Sequence, residues 1–284
     1  MQEQKHTERL HPGSAASWRS AEDMIVPPGK KIFFLSDFHL GTPDAASSLE
    51  REKLIVRFLD EVKHEAFAIF IVGDMFDFWY EYRKVVPKGG VRLLGKIAEL
   101  ADTGISVQFF VGNHDMWMRS YFQTELNVPV YFEPREFTFN HKKFLIGHGD
   151  GLGPGDHGYK AMKKVFRNPV CQWLFGLLPP AIGVGLANYF STKSRAATGN
   201  SEEVFLGEEN EWLLLYSKEV LQQRHVNFFV FGHRHLPIDF RLSPDSRYIN
   251  LGEWINFCTY AVFDGEQMQL TSYTGKENKI YKNW

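Results

Sequence analysis

Lys31-Ile32-Phe33-Phe34-Leu35-Ser36-Asp37-Phe38-His39 is the stretch on which the fold turns. Residues 31–36 carry an almost unbroken apolar run, the mark of a strand buried on both faces, and the run ends in a turn that holds a carboxylate and an imidazole. Working outward, apolar residues at Leu54, Ile55, Phe58, Leu59 and Val62 fall at helical spacing, which predicts a helix over about Ser47 to Glu65. Phe67 to Val72 reads as a second buried strand, Gly90 to Ala101 as a helix and Ile105 to Val111 as a third strand. Short apolar strands alternating with helices imply an α/β protein with a central sheet, much parallel pairing and helices packed outside it.

Beyond Asn127 the texture changes. Val130 to Phe132, Glu136 to Asn140 and Lys143 to Gly147 predict short strands, with a hairpin signal at Asn140-His141. A helix-rich insertion is expected over about 154–200 and a helix over about Glu208 to Gln223. Asn227 to Phe231, Ile238 to Leu242, Tyr248 to Leu251, Thr259 to Asp264 and Met268 to Tyr273 then close the chain with β structure. Residues 1–29 are polar and aperiodic, so a loosely ordered arm is expected there, with the folded domain at 30–284.

Composition narrows the class. Of 284 residues, 44% are hydrophobic and 23% charged, which excludes disordered, collagenous and coiled-coil chains. Aromatics reach 15%, with 25 Phe, an excess that needs a large core or a surface that handles apolar ligands. A net charge of -2 gives no global field to attract nucleic acid, and none is expected as a partner. Two Cys without a CxxC, and a polar N-terminus with no apolar block, point to a reducing, cytoplasmic location. The stretch Asn168 to Thr192 holds no charge and is long enough to cross a bilayer, yet Pro179-Pro180 interrupts it. A pair of short helices is expected instead.

The histidines locate the chemistry. Four clusters each follow an apolar strand: Ser36-Asp37-Phe38-His39, Gly112-Asn113-His114-Asp115, Gly147-His148-Gly149-Asp150 and Gly232-His233-Arg234-His235. A fifth, Gly73-Asp74-Met75-Phe76-Asp77, supplies carboxylates. A single such cluster is an ordinary turn. Five at strand ends, where open α/β sheets bind ligands, point to one shared site. Asp37 and His39, like His233 and His235, stand two residues apart, a spacing at which extended backbone aims both side chains the same way. Asp37, His39, Asp74, Asn113, His148, His233 and His235 together offer more donors than one ion needs and suit two. Mixed nitrogen and oxygen donors favour Mn, Fe, Zn or Co over Mg or Ca. Two such ions, roughly 3.5 to 4 Å apart, can hold a bridging hydroxide and clamp a phosphoryl oxygen, so hydrolysis of a phosphoester or phosphoanhydride is the expected reaction.

These five blocks resemble those of the calcineurin-like metallophosphoesterase superfamily and span about Lys31 to Asn256. The resemblance implies a four-layer αββα sandwich of two mixed sheets with flanking helices and a helical cap insertion. It also implies that Asp74 bridges two divalent ions, manganese first among the candidates, with Asp37, His39 and His235 on one and Asn113, His148 and His233 on the other. His114, paired with Asp115, would touch the scissile phosphate or protonate the leaving group. Asp77 and Asp150 would orient ligand imidazoles or cap turns.

Within the superfamily, SDFHLG, GDMFDFW, HGDG and GHRH with a helical insertion before the last are similar to the UDP-2,3-diacylglucosamine pyrophosphatases of lipid A synthesis. That implies a nucleotide-linked lipid substrate, cleaved to UMP and a diacylglucosamine 1-phosphate, and a peripheral contact with the cytoplasmic face of the inner membrane. The insertion suits it: Lys160, Lys163, Lys164 and Arg167 precede the uncharged stretch, Lys193 and Arg195 follow it, and Trp173, Leu174, Phe175, Leu177, Leu178 and Phe190 could meet acyl chains. A cap that merely packs on the sheet is the structural alternative. The chain departs from that family at the third block, where His114 stands in place of the family's Arg in GNRD. The alternatives are therefore a phosphoesterase for another lipid, nucleotide or phosphoprotein and, more remotely, a non-catalytic scaffold.

Overall fold

The computed structural model describes residues 22–155, 157–187, 189 and 204–284. Among the described residues, thirteen strands form two sheets. The first contains β2 (Lys31–Leu35), β3 (Ala66–Val72), β4 (Ser106–Phe110), β5 (Val130–Tyr131), β11 (Thr259–Phe263) and β12 (Met268–Ser272), in the order β12-β11-β2-β3-β4-β5. The second contains β1 (Asp23–Met24), β6 (Arg135–Phe139), β7 (Lys142–Gly147), β8 (Phe228–Phe231), β9 (Pro237–Ser243), β10 (Ser246–Leu251) and β13 (Tyr281–Lys282), in the order β1-β6-β7-β8-β10-β9-β13. In the first, β2, β3, β4 and β5 run parallel, with Phe34 opposite Phe70, while β11 and β12 join antiparallel. In the second, the pairs β1–β6, β7–β8, β8–β10 and β9–β13 are parallel, while β6–β7 and β9–β10 are antiparallel.

Strand alternation explains the layers. Ile32 and Phe34 on β2, with Ala68 and Phe70 on β3, face Phe137, Phe139, Phe144, Phe228 and Val230 of the second sheet. Phe33, Leu35, Ile69 and Ile71 point the other way, against Ile55, Phe58 and Leu59 of α1 (Ala45–Val62) and Leu93, Ile97 and Leu100 of α2 (Val91–Asp102). The outer face of the second sheet, with Leu145, Phe229 and Phe231, is covered by Leu213, Leu214 and Val220, which belong to α6 (Trp212–Gln223). Helices, sheet, sheet and helix make the four-layer α/β sandwich. Most of the phenylalanines are buried in these layers, with Phe34 stacked on Phe70 at a 5.1 Å centroid separation. The aromatic excess is mainly core material.

The two mixed sheets with flanking helices are those the resemblance implies, although pairing between distant strands leaves no periodicity by which to read the second. The strand and helix pattern follows the sequence reading closely, with two differences. Folded structure begins before Lys30: β1 pairs with β6, and Val26 is buried, its N–H donating to Asn140 Oδ1 at 2.8 Å. The remainder of the expected arm, 1–21, lies outside the described residues. The short helix α3 (Tyr121–Glu125) was also unforeseen. Glu81, a buried carboxylate on the loop after β3, receives the N–H groups of Arg119, Ser120 and Tyr121 and so fixes its start.

The insertion contributes α4 (His157–Phe166), α5 (Pro169–Gly176) and a helical segment at 180–187. Asn168 caps α5 by accepting the Val170 N–H, Pro169 occupies its first position, and Pro179 separates it from the next segment. The uncharged stretch is thus broken as expected, and among the described residues no helix is long and apolar enough to cross a membrane.

Candidate metal centre

Parallel pairing brings the sequence clusters together. Asp37, Asp74 and Asn113 follow the carboxyl ends of β2, β3 and β4, which lie side by side, and His148 and His233 follow those of β7 and β8, which pair in the other sheet. All five loops therefore open at one edge of the sandwich. Their backbones are not extended, as the i and i+2 spacing suggested. Asp37, His39, Asp74, His233 and His235 all adopt left-handed φ, between 46° and 69°. Each such residue costs about 1 kcal/mol or more, so five of them draw on a domain stability of only about 5–15 kcal/mol. The chain has to turn sharply at each strand end, and interactions across the site must hold it there.

Those interactions interlock the loops. The His233 N–H donates to Asp37 Oδ2 at 3.1 Å, and the His114 N–H to Asp74 Oδ1 at 2.8 Å. Asp115, fully buried, accepts from Gly112 N at 2.6 Å and Met75 N at 2.9 Å. Arg51 of α1 donates to the carbonyls of Phe38, His39 and Thr42 at 2.7, 2.7 and 2.5 Å. Three glycines are sterically required: a Cβ at Gly112 would overlap Asp74 Oδ1, one at Gly232 would overlap Asp37 Oδ2, and one at Gly73 would overlap His148 Nδ1.

The side chains converge in two halves. Asp37, His39, Asp74 and His235 place one donor atom each within 4.8 Å of one another. His39 Nε2 lies 3.0 Å from His235 Nε2, 3.7 Å from Asp37 Oδ1 and 3.8 Å from Asp74 Oδ2. In the other half, His148 Nε2 stands 3.3 Å from Asp74 Oδ2 and 3.0 Å from Asn113 Oδ1, and the His148 and His233 rings are 5.1 Å apart. Asp74 thus sits between the halves. Its Oδ2 is buried and has no hydrogen bond, as has His39 Nδ1. A carboxylate oxygen left in that condition among imidazole nitrogens is costly unless a cation completes its coordination. The donor set suits a divalent transition ion.

Charge follows from burial and neighbours. His39 is pushed down to about 4 by burial, and His233 to about 4 by burial and by its neighbour His148. Both offer free lone pairs at neutral pH. His148 moves the other way: burial opposes its charge, but the Asp74 carboxylate raises it to about 10. Burial works against the charge of Asp74, but His148, then His114 and His39, hold it well below the usual carboxylate range. His148 Nδ1, 2.9 Å from the Val72 carbonyl, must donate there, which aims Nε2 at Asp74 and Asn113.

Two expected pairings differ. His114 does not meet the Asp115 carboxylate, which the backbone N–H groups occupy and which burial, then the Asp74 charge, raises to about 7. His114 Nδ1 instead lies 2.8 Å from the Asp77 carbonyl and 3.8 Å from Asp77 Oδ1. The reason is steric: the loop closes on Asp115 as its internal anchor, leaving the ring to face the β3 loop. Asp150 turns toward the cap, accepting from Tyr159 OH at 2.7 Å and lying 2.5 Å from Lys163 Nζ. His39, Asp77 and His114 form a second donor group beside the first.

The cap seats on the ligand loops. Tyr80 OH donates to the Gln172 carbonyl at 2.7 Å and Trp117 Nε1 to the Phe166 carbonyl at 2.6 Å, while the Phe175 ring lies 4.6 Å from that of Trp117. Of the residues expected to bind substrate, Trp173 and Leu177 are exposed, at 61% and 62%, and Leu178 is half-buried. Lys164 is exposed, and with Lys160, Lys163 and Arg167 it lines an open basic hollow. Arg167 also bonds to Glu133 and, at 2.6 Å, to the Phe132 carbonyl. Lys193, Arg195 and Phe190 lie outside the described residues. Sequence reading passed over Arg51, Glu81, Glu211 and the aromatic seat of the cap. Only the clustering of aromatics in GDMFDFWYEYR hinted at the last.

No family model matches the chain. A UDP-2,3-diacylglucosamine hydrolase of Porphyromonas gingivalis is 40% identical over 260 residues, covering 87% of this chain and 99% of that protein. One from Actinobacillus succinogenes is 27% identical over 227 residues, covering 79% and 92%. Among solved structures, a dimetal phosphatase from Danio rerio aligns over 86% of this chain and 96% of its own, at 13% identity and a TM-score of 0.45.

Proposed function

The chain belongs to the UDP-2,3-diacylglucosamine hydrolase family, and from that membership and the donor set at the strand ends we propose that it cleaves the pyrophosphate of UDP-2,3-diacylglucosamine. One phosphoanhydride bond breaks, water adds across it, and UMP and 2,3-diacylglucosamine 1-phosphate leave as phosphomonoesters. The observation that carries this reading is the buried Asp74 Oδ2 set between two groups of imidazoles, 3.8 Å from His39 Nε2 and 3.3 Å from His148 Nε2.

Asp37, His39, Asp74 and His235 would hold one divalent ion, and Asn113, His148 and His233 with Asp74 a second, manganese being the first choice. When bound, such ions polarise phosphoryl oxygens and supply a nucleophile at neutral pH. The chain's own part is positioning and proton control. His114 Nδ1 donates to the Asp77 carbonyl, so its Nε2 is the nitrogen left to hydrogen-bond the scissile phosphate or to hand a proton to the departing phosphate. Asp115 acts from beneath, holding the loops that carry Asp74 and Asn113 at one spacing. The cap would receive the lipid: exposed Trp173, Leu177 and Ile182 suit acyl chains, and the basic side of α4 suits phosphates or the anionic surface from which the lipid is drawn.

The test offers manganese-loaded protein UDP-2,3-diacylglucosamine and a small chromogenic phosphodiester. UMP release that chelation abolishes is expected. Turnover of the diester alone would move the substrate to another phosphoester, and no turnover of either would remove the catalytic reading.

A further inference from the structure

Arg234 stands between two of the histidines assigned to metal, yet its side chain does not join them. The guanidinium is 3% exposed, and donates from Nε to Glu211 Oε2 at 3.1 Å and from Nη2 to Glu211 Oε1 at 3.2 Å. Nη2 also donates to the Val204 carbonyl at 2.5 Å, and the cation lies 5.9 Å from the Trp212 ring. Glu211, 1% exposed, immediately precedes α6 and accepts the Leu206 N–H at 3.0 Å. A buried ion pair of this kind adds little net stability, since desolvation offsets the attraction. Its location suggests a different use.

The loop it anchors is one of two in the site, with that of Asp37 and His39, that carry a pair of left-handed residues. His233 and His235 both have left-handed φ, 69° and 58°, on either side of Arg234. On the metal side the loop is held by the His233 N–H on the Asp37 carboxylate. On the other side the Arg234 fork grips Glu211 at two points, which a lysine could not reproduce. We propose that Arg234 is a positioning residue: locked by Glu211, it fixes the backbone that presents His233 and His235, and ties metal retention to segment 204–211, by which the chain returns from the cap. The inference rests on the reading of His233 and His235 as metal ligands.

The test measures Mn²⁺ affinity of the full chain by competition with a chromogenic chelator, together with thermal melting. In the double variant Arg234→Met, Glu211→Leu the pair is replaced by apolar side chains, and the protein should melt close to wild type. Its Mn²⁺ affinity should fall by about 10- to 100-fold, the usual effect of removing a group that orients ligands. Arg234→Lys should lie between the two. A folded double variant that binds Mn²⁺ within twofold of wild type overturns the inference, and so does a double variant that cannot fold, because the pair would then be a folding element. His235→Ala separates the two claims: if it binds Mn²⁺ normally the ligand reading itself fails, whereas if only His235→Ala loses metal, Arg234 has no positioning role.

Discussion

The loop edge of the sandwich and the helical cap differ in how their residues are held. At the edge, carboxylates and backbone N–H groups of different loops bond one another in the interior, and glycines stand where a single extra carbon would collide with a carboxylate oxygen of Asp74 or Asp37. In the cap, α5 has no buried residue, and Val170, Trp173, Leu174 and Leu177 are all more than half exposed. Coordination of ions requires fixed donor spacing, which a polar network supplies. Contact with acyl chains requires only apolar area, which tolerates movement.

If this contrast is right, damage at the edge is severe and indifferent to substrate, while damage at the cap is mild and substrate-specific. Asp74→Ala should have the largest effect, with loss of bound metal and a fall in turnover of about 10³-fold or more on any substrate, as expected when several kcal/mol of transition-state stabilisation disappear. Metal analysis alongside steady-state rates checks it; retained turnover would break the comparison at its centre. Gly112→Ala should come next, with kcat down by about 10²-fold, because the new methyl group displaces Asp74 while the rest of the fold is kept. Circular dichroism beside kinetics separates displacement from unfolding.

Metal uptake should be pH-dependent. His148, raised to about 10 in the metal-free protein, carries a proton at neutral pH that an ion must expel. Apparent Mn²⁺ affinity should therefore rise by up to about tenfold per pH unit through the neutral range and level off above pH 10. A flat profile measured by chelator competition would show that His148 gives up no proton. The smallest effect belongs to the cap. Trp173→Asp with Leu177→Asp should raise KM for the diacylated substrate about tenfold and leave the small diester unchanged, since both side chains are exposed in the free protein. Equal losses on both substrates would make the cap a structural cover.

The difference also explains what could be read from the chain alone. The gathering of Asp37, His39, Asp74, Asn113, His148, His233 and His235 at one edge was legible because each follows an apolar strand, and parallel strands deliver their ends to one place. The division into two sheets was legible only through the resemblance of the five blocks, and the pairing of β7 with β8, separated by the whole insertion, was not legible at all, since contacts between distant segments leave no periodicity. Partner choice within the site was equally hidden. His114 adjoins Asp115 in sequence but meets Asp77 in space, and Arg234, lying between two histidines, reaches Glu211 instead. Left-handed turns at five positions, which decide those directions, are written in no single residue, because Asp and His also serve ordinary turns.

The most direct test is anomalous diffraction from crystals grown with manganese. Two peaks should appear, one bounded by Asp37, His39 and His235, the other by Asn113, His148 and His233, with Asp74 touching both. An empty cluster, or manganese bound only elsewhere on the surface, would contradict the account.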